Sequence, residues 1–523
     1  MAHIPFLSHY LERKNIEYQN QLLARQVEEV QNIYLTMRGI IDPSGAGATF
    51  SSIQRFIIAH FSWLILLTGA SAIFFSVWMA CSSRFATVKL GAADEKPEFS
   101  FFAWVAMLFC AALGTGFVIF GAAEPLYHLF TAPTVMDAGS AGAVRGVPEA
   151  IRLSVVNWGL FGWPLFAVGG WAIGYAAYRH NKPLRTSTGL YGLLGERCND
   201  TLVSKAVDVL AAIGTIGGVS MMIGLGVASI SYAFQILFGI ELGATGKFSI
   251  MLCFILTYII STSTGLARGM RYLSESNGYI TLGLLFAVLI LGATPFTYVI
   301  NMIMQVAGEF LFRLPQNLLW TDAGNFEPRE WSGSWFIFYI LWNISYVPFT
   351  GGFIARISRG RTMREFVCGT VLVPLFMTLL WFSVWGSNSC YEQLKGFLPL
   401  WETVQGSPEQ ALYILLGSFP LGSVLCFIAF ICFCLFAITT ADAASHFIAQ
   451  QTTNGIEVPR LTMRVFWGCT IGFTGILFQV TGGFAAIKSL AIAAAAPFVL
   501  VTFAYIISIV KMMKHDRQQE ETE

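Results

Sequence analysis

The sequence predicts an all-α integral membrane protein of about 11 transmembrane helices, ten of which form two groups of five running in opposite directions. Three observations carry that prediction. Hydrophobic residues make up 55% of the 523 and charged residues only 12%, whereas soluble domains are about one quarter charged, so most of this surface faces lipid. Apolar runs of the roughly 20 residues needed to cross about 30 Å of hydrocarbon recur along the chain. The runs fall into two sets with an odd number in each, so the second set enters the membrane from the opposite side and forms an inverted repeat.

Residues 1–55 form a polar and amphipathic N-terminal segment. Within it, residues 16–38 space Leu22, Leu23, Val27, Val30 and Tyr34 at helical intervals among charges, which predicts a helix lying on the membrane or on a neighbouring subunit. The first fifty residues show no apolar core of signal-peptide length, so insertion is expected to begin at the first span. That span, 56–81, and the loop to residue 100 are peripheral. Spans 101–123, 152–178, 209–239, 248–266 and 277–298 make up repeat 1 (101–298). A connecting segment, 299–334, is expected to hold an amphipathic helix. Spans 335–354, 366–388, 421–441, 461–480 and 485–510 make up repeat 2 (335–510), and 511–523 is a short tail.

Orientation follows from the basic residues of the short loops. Alternate loops and the tail carry 19 of them, including Arg84, Lys89, Arg179, Lys182, Arg268, Arg271, Arg356, Arg361, Arg460 and Lys511, against about 7 on the other side. The richer set is expected in the cytoplasm, with the C-terminus, in a multi-pass protein of the cell membrane.

Composition also excludes functions. With 31 Lys+Arg against 30 Asp+Glu there is no basic field for nucleic acid. The ten cysteines are scattered, and Cys426, Cys432 and Cys434 sit in apolar runs as small hydrophobes. The histidines at 3, 9, 60, 128, 180, 446 and 515 include no pair at metal-ligand spacing, so no membrane enzyme and no cofactor are expected. No ring of charges or filter repeat suggests a channel. Glu124, Asp442 and Arg268 lie near span boundaries, which makes a proton relay inside the membrane less expected than sodium coupling.

The first span of each repeat carries an interruption. Gly114-Thr115-Gly116 breaks the second apolar run, and Asn343-Ile344-Ser345-Tyr346-Val347-Pro348 with Gly351-Gly352 breaks the seventh. In inverted-repeat carriers such breaks free backbone groups for substrate and ion near the midplane. The seventh span also places Tyr339, Trp342, Asn343 and Tyr346 on one helix face.

Four stretches resemble signatures of the betaine/carnitine/choline transporter family: Asp94-Glu95-Lys96-Pro97-Glu98-Phe99-Ser100, Phe120-Gly121-Ala122-Ala123-Glu124-Pro125, Phe353 through Thr362, and Thr439-Thr440-Ala441-Asp442. With the span pattern between them the resemblance covers roughly residues 56–510. It implies the leucine-transporter type of fold, alternating access and commonly a homotrimer. It departs from the family at the start, where one span rather than two precedes the repeats.

The function this resemblance implies is secondary active transport of a small zwitterionic or quaternary-ammonium solute, with sodium as coupling ion. The alternatives are a sodium-independent exchanger, for which Arg268 would stand in for the ion, and a carrier of a less methylated zwitterion, a sulfonium or a sulfonate. A quaternary ammonium donates no hydrogen bonds and is held by aromatic faces, each contributing about 0.5–2 kcal/mol. The family's aromatic positions correspond to Trp158, Trp163 and Phe166, which face Tyr339, Trp342 and Tyr346 in the expected cage. Asn343 stands where the family usually has a tryptophan and is expected to give the cage one polar wall. The backbone N–H groups of Gly114 and Gly116 are expected to meet the anionic end of a zwitterion. Carried over from the family, the sodium ligands are the carbonyls of Cys110, Leu113 and Phe436 and the hydroxyls of Thr439 and Thr440. A second sodium position would fall at Gly218 and Met222, whose thioether is a poor ligand, so it is expected to be absent.

Overall fold

The computed structural model describes residues 43–112, 114–131, 141–264, 269–323, 330–480 and 492–522. Among these the regular structure is helical, and the isolated bridge Lys89–Thr362 is the one β pairing. A helix is what a lipid-embedded chain must form, because it satisfies every backbone group internally. The amphipathic segment 16–38, Leu113 and Arg268 lie outside the described residues.

In chain order the helices are α1 (Pro43–Cys81), α2 (Phe101–Ala112), α3 (Gly114–Phe130), α4 (Val144–Arg179), α5 (Leu202–Phe238), α6 (Ala244–Thr264), α7 (Arg271–Leu291), α8 (Phe296–Phe312), α9 (Gly333–Ile357), α10 (Met363–Leu394), α11 (Gly422–Thr452), α12 (Leu461–Val480) and α13 (Ile492–Thr522). Among the described residues eight helices are long and apolar enough to cross a membrane, and α2 with α3, meeting at 76°, makes a ninth. The other two predicted runs lie on α6 and α12. The sixth span ends earlier than predicted, at Leu291, because Pro295 begins a separate helix, α8. That helix buries Val299, Met302, Val306 and Phe310 along one side.

Burial separates the centre of the bundle from its lipid face. The apolar windows of α4 and α9 are 100% and 94% buried, against 28% for α7, so α4 and α9 form the middle of the fold. They approach closely because glycine meets glycine. A methyl on Gly351 would stand 3.0 Å from the backbone of Gly169 and Gly170.

This contact corrects one expectation. The seventh span is not broken: α9 continues as an α-helix from Phe338 to Ile357 through Pro348. A proline removes a single N–H, and neighbouring helices hold the surrounding turns in place. Gly351 and Gly352 are packing residues, the second facing the Phe447 ring.

On the side carrying the basic loops, two of the signature stretches clasp each other. Leu90 N donates to the Arg361 carbonyl at 2.8 Å and Gly360 N to the Leu90 carbonyl at 2.7 Å. The Arg361 guanidinium lies 4.0 Å from the Trp104 ring centroid and donates to the Phe99 carbonyl at 2.8 Å. Burial lowers the pKa of Arg361 from arginine's ordinary value, and Glu365, 2.5 Å away, works against that shift. The Trp104 indole donates to Ser358 Oγ at 2.8 Å, so the entry to repeat 1 and the exit of α9 are tied together.

Candidate substrate chamber and ion site

The chamber begins at the break between α2 and α3. Gly114 has φ +51°, the left-handed conformation that only glycine adopts cheaply, and a methyl there would stand 3.2 Å from Thr440 Oγ1. At Gly116 a methyl would overlap the Met222 Cε and lie 2.9 Å from the Trp158 ring. The two glycines therefore let the α3 backbone run against an indole on one side and the candidate ion site on the other.

Opposite them, α4 widens into a π turn at Val156–Leu160, a local distortion frequent at functional sites. Asn157 and Trp158 sit on it. Trp158 meets Tyr339 at 5.4 Å between centroids and 66°, and Trp342 at 5.4 Å and 90°. Tyr339 and Trp342 are 5.6 Å apart at 68°. The three rings thus pack edge to face on one another as one cluster, one ring from repeat 1 and two from repeat 2.

The other expected cage residues take different places. Tyr346 extends the cluster from Trp342 at 5.7 Å and donates its hydroxyl to the Gly218 carbonyl at 3.0 Å. Trp163 packs on Phe166 at 5.8 Å and on Phe109 at 5.3 Å, and is linked to Trp158 through Phe109 and Phe117. Asn343 donates its amide to the Tyr339 carbonyl of its own helix at 2.7 Å, and its Oδ1 would stand 2.6 Å from a methyl on Gly162. Its side chain therefore occupies the seam between α4 and α9.

The three rings are buried. Trp158 and Tyr339 are each 3% exposed and Trp342 7%, so a solute reaches the cluster only when helices part.

Four of the five expected sodium ligands converge. Thr440 Oγ1 donates to the Cys110 carbonyl at 3.0 Å, and Thr439 Oγ1 lies 3.5 Å from the same oxygen. Thr439 also bonds within its own helix, to Leu435 O at 2.8 Å and Phe436 O at 3.1 Å. Carbonyl and hydroxyl oxygens suit a hard cation, and this donor set fits sodium. The Met222 carbonyl accepts from the Thr115 hydroxyl at 3.1 Å.

Glu124 was legible as part of a signature but not as part of the chamber. Rather than lying at a wet boundary it is wholly buried. Its Oε2 accepts from Trp158 Nε1 at 2.7 Å and from the Tyr339 hydroxyl at 2.5 Å. Its Oε1 accepts from Asn157 Nδ2 at 2.8 Å and lies 3.2 Å from His128 Nε2. The available signal was the Glu124–His128 spacing, one helical turn apart within an apolar run. Among the described residues no group of His, Cys, Asp and Glu could hold a metal ion.

A profile described as betaine/carnitine/choline family transporter matches residues 30–518. The chain is 34% identical over 474 residues to the osmo-dependent choline transporter BetT2 of Acinetobacter baylyi, covering 90% of this chain and 68% of that one. It is 34% identical over 466 residues to the high-affinity choline transport protein of Escherichia coli, covering 88% and 67% respectively. Over 481 residues it is 33% identical to the glycine betaine transporter OpuD of Bacillus subtilis, with 92% of each chain covered.

Proposed function

The chain belongs to the betaine/carnitine/choline transporter family, and on that premise we propose that it carries a quaternary-ammonium or closely related zwitterionic solute by sodium-coupled alternating access. It is a multi-pass membrane protein and a transporter rather than an enzyme. The observation that carries the substrate reading is the cluster of Trp158, Tyr339 and Trp342 set against Gly116. Three faces, each contributing about 0.5–2 kcal/mol, suit a trimethylammonium head that cannot pair with donors. The N-terminus of α3 offers backbone N–H groups beside it for a carboxylate or hydroxyl at the other end.

Sodium coupling is supported by the convergence of Cys110 O, Phe436 O, Thr439 Oγ1 and Thr440 Oγ1 where the broken span meets α11. An ion there would join the two repeats and favour one orientation of the bundle, which is how an ion gradient drives a solute. A sodium-independent exchanger is the second reading, favoured by the Thr439 hydroxyl already being satisfied within its own helix. The distribution of basic residues supports a cytoplasmic C-terminus as part of this reading.

Uptake into proteoliposomes of labelled choline, glycine betaine, carnitine and ectoine, each with and without an inward sodium gradient, tests the proposal. Gradient-dependent accumulation of a methylated ammonium supports it. Uptake only against preloaded substrate, indifferent to sodium, establishes exchange. Uptake of none of the four overturns the substrate class.

A further inference from the structure

Glu124 presents a buried carboxylate to donors from two different helices. Trp158 Nε1 and Asn157 Nδ2, both on α4, are donors only, and they address opposite oxygens at 2.7 and 2.8 Å. The Tyr339 hydroxyl, on α9, adds a third bond to Oε2 at 2.5 Å. Both oxygens of the carboxyl group thus accept from donors, which concentrates its negative partial charge between the two helices. Among the described residues no lysine or arginine forms an ion pair with it, and beside the Tyr339 hydroxyl its ionisable contact is His128, also wholly buried.

We propose that Glu124 is the positioning and charge-specificity residue of the cage: by accepting from Trp158 and Tyr339 it fixes the facing of both rings and makes their faces more attractive to a cation. The proposal rests on the cage reading above and adds to it the selection of head-group charge. An aromatic face attracts a cation through the negative side of its quadrupole. Drawing the N–H or O–H proton of a ring toward a carboxylate leaves more electron density on that face. The effect persists because the bonds lie away from water, where hydrogen bonds polarise one another and charges are weakly screened. One carboxylate thereby ties a wall from repeat 1 to a wall from repeat 2, since Trp158 and Tyr339 meet at 5.4 Å in front of it.

A purely structural Glu124 would support all ligands of one shape alike. A charge-selective Glu124 separates a trimethylammonium head from the tert-butyl head in which carbon replaces the nitrogen. The test is inhibition of labelled choline uptake, or of glycine betaine uptake if the parent prefers it, by the unlabelled solute and by its tert-butyl isostere. The parent is compared with Glu124→Gln, Tyr339→Phe and Trp158→Ala. In Glu124→Gln the inhibition constant of the ammonium ligand is expected to rise about tenfold while that of the isostere moves less than about twofold. Tyr339→Phe keeps the ring, loses one donor and is expected to shift the ratio in the same direction by a smaller factor, which keeps the test decisive if Glu124→Gln fails to fold. Equal weakening of both ligands in the folded variants, or no change in either, overturns the proposal. If Trp158→Ala leaves the ammonium ligand unaffected, the cage reading falls and this inference with it; loss in Trp158→Ala beside an unchanged ratio in the other two overturns the inference alone.

Discussion

Thr440 on α11 donates its hydroxyl to the Cys110 carbonyl on α2 at 3.0 Å, across 330 positions of sequence. The contact joins the broken span of repeat 1 to repeat 2 at the last carbonyls of α2, where helix ends leave acceptors free. An ion bound there would take the place of this hydrogen bond between the repeats.

The two threonines are therefore expected to contribute unequally. Thr440→Ala should raise the sodium concentration for half-maximal uptake by about tenfold, the loss of one direct ligand of about 1.4 kcal/mol. Thr439→Ala should raise it less, because that hydroxyl also bonds Leu435 O and Phe436 O. Initial uptake rates across a sodium series at constant ionic strength measure both. Parent uptake unchanged in potassium would remove the site.

Within the cage, Trp158 is expected to matter more than Trp163 or Phe166, because it alone of the three touches both Tyr339 and Trp342. Trp158→Ala should raise KM for a methylated ammonium by about 10- to 30-fold, the loss of a face of up to about 2 kcal/mol. Trp163→Ala and Phe166→Ala should act mainly on the amount of folded carrier, since they leave apolar cavities between helices. KM together with the quantity of protein in the membrane separates the two effects.

At the seam of α4 and α9, Asn343→Ala is expected to leave the ranking of choline, betaine, carnitine and ectoine within about twofold of the parent, since the amide it removes bonds its own helix. Gly162→Ala should impair folding, because the added methyl meets Asn343 Oδ1 at 2.6 Å. A competition panel reads the first and detergent-solubilised yield the second. A reordered ranking in Asn343→Ala would show that this side chain reaches the substrate.

Arg361→Ala should lower the thermal unfolding midpoint markedly, with a loss of about 2–3 kcal/mol. It removes the donor to Phe99 O and the cation on the Trp104 ring in one step. Arg361→Lys should recover only part, because lysine lacks the planar fork. Intrinsic fluorescence on heating compares the three proteins, and an unchanged midpoint in Arg361→Ala would disprove the clasp.

The helices and their grouping could be read from composition and run length because lipid leaves a hydrophobic chain few alternatives to helix. The break at Gly114 is legible for a similarly local reason, two glycines one residue apart inside an apolar run. The matching break at Pro348 was not there, since a proline in sequence does not say whether neighbours will hold its helix together. Hydropathy puts Glu124 at a span boundary, because it averages over a window and ranks a lone carboxylate by its neighbours.

What the sequence by itself determined is what depends on short stretches: the apolar spans, the basic loops, the flexible glycines and the aromatic residues available to a cage. Only the tertiary structure decided which side chains share a space. Asn157 and Trp158 face Glu124 because a π turn re-aims one turn of α4, and Asn343 turns to the Tyr339 carbonyl of its own helix where Gly162 lets α4 approach closely. Both outcomes depend on how two distant helices meet, and periodicity along either helix carries no information about the distance between them.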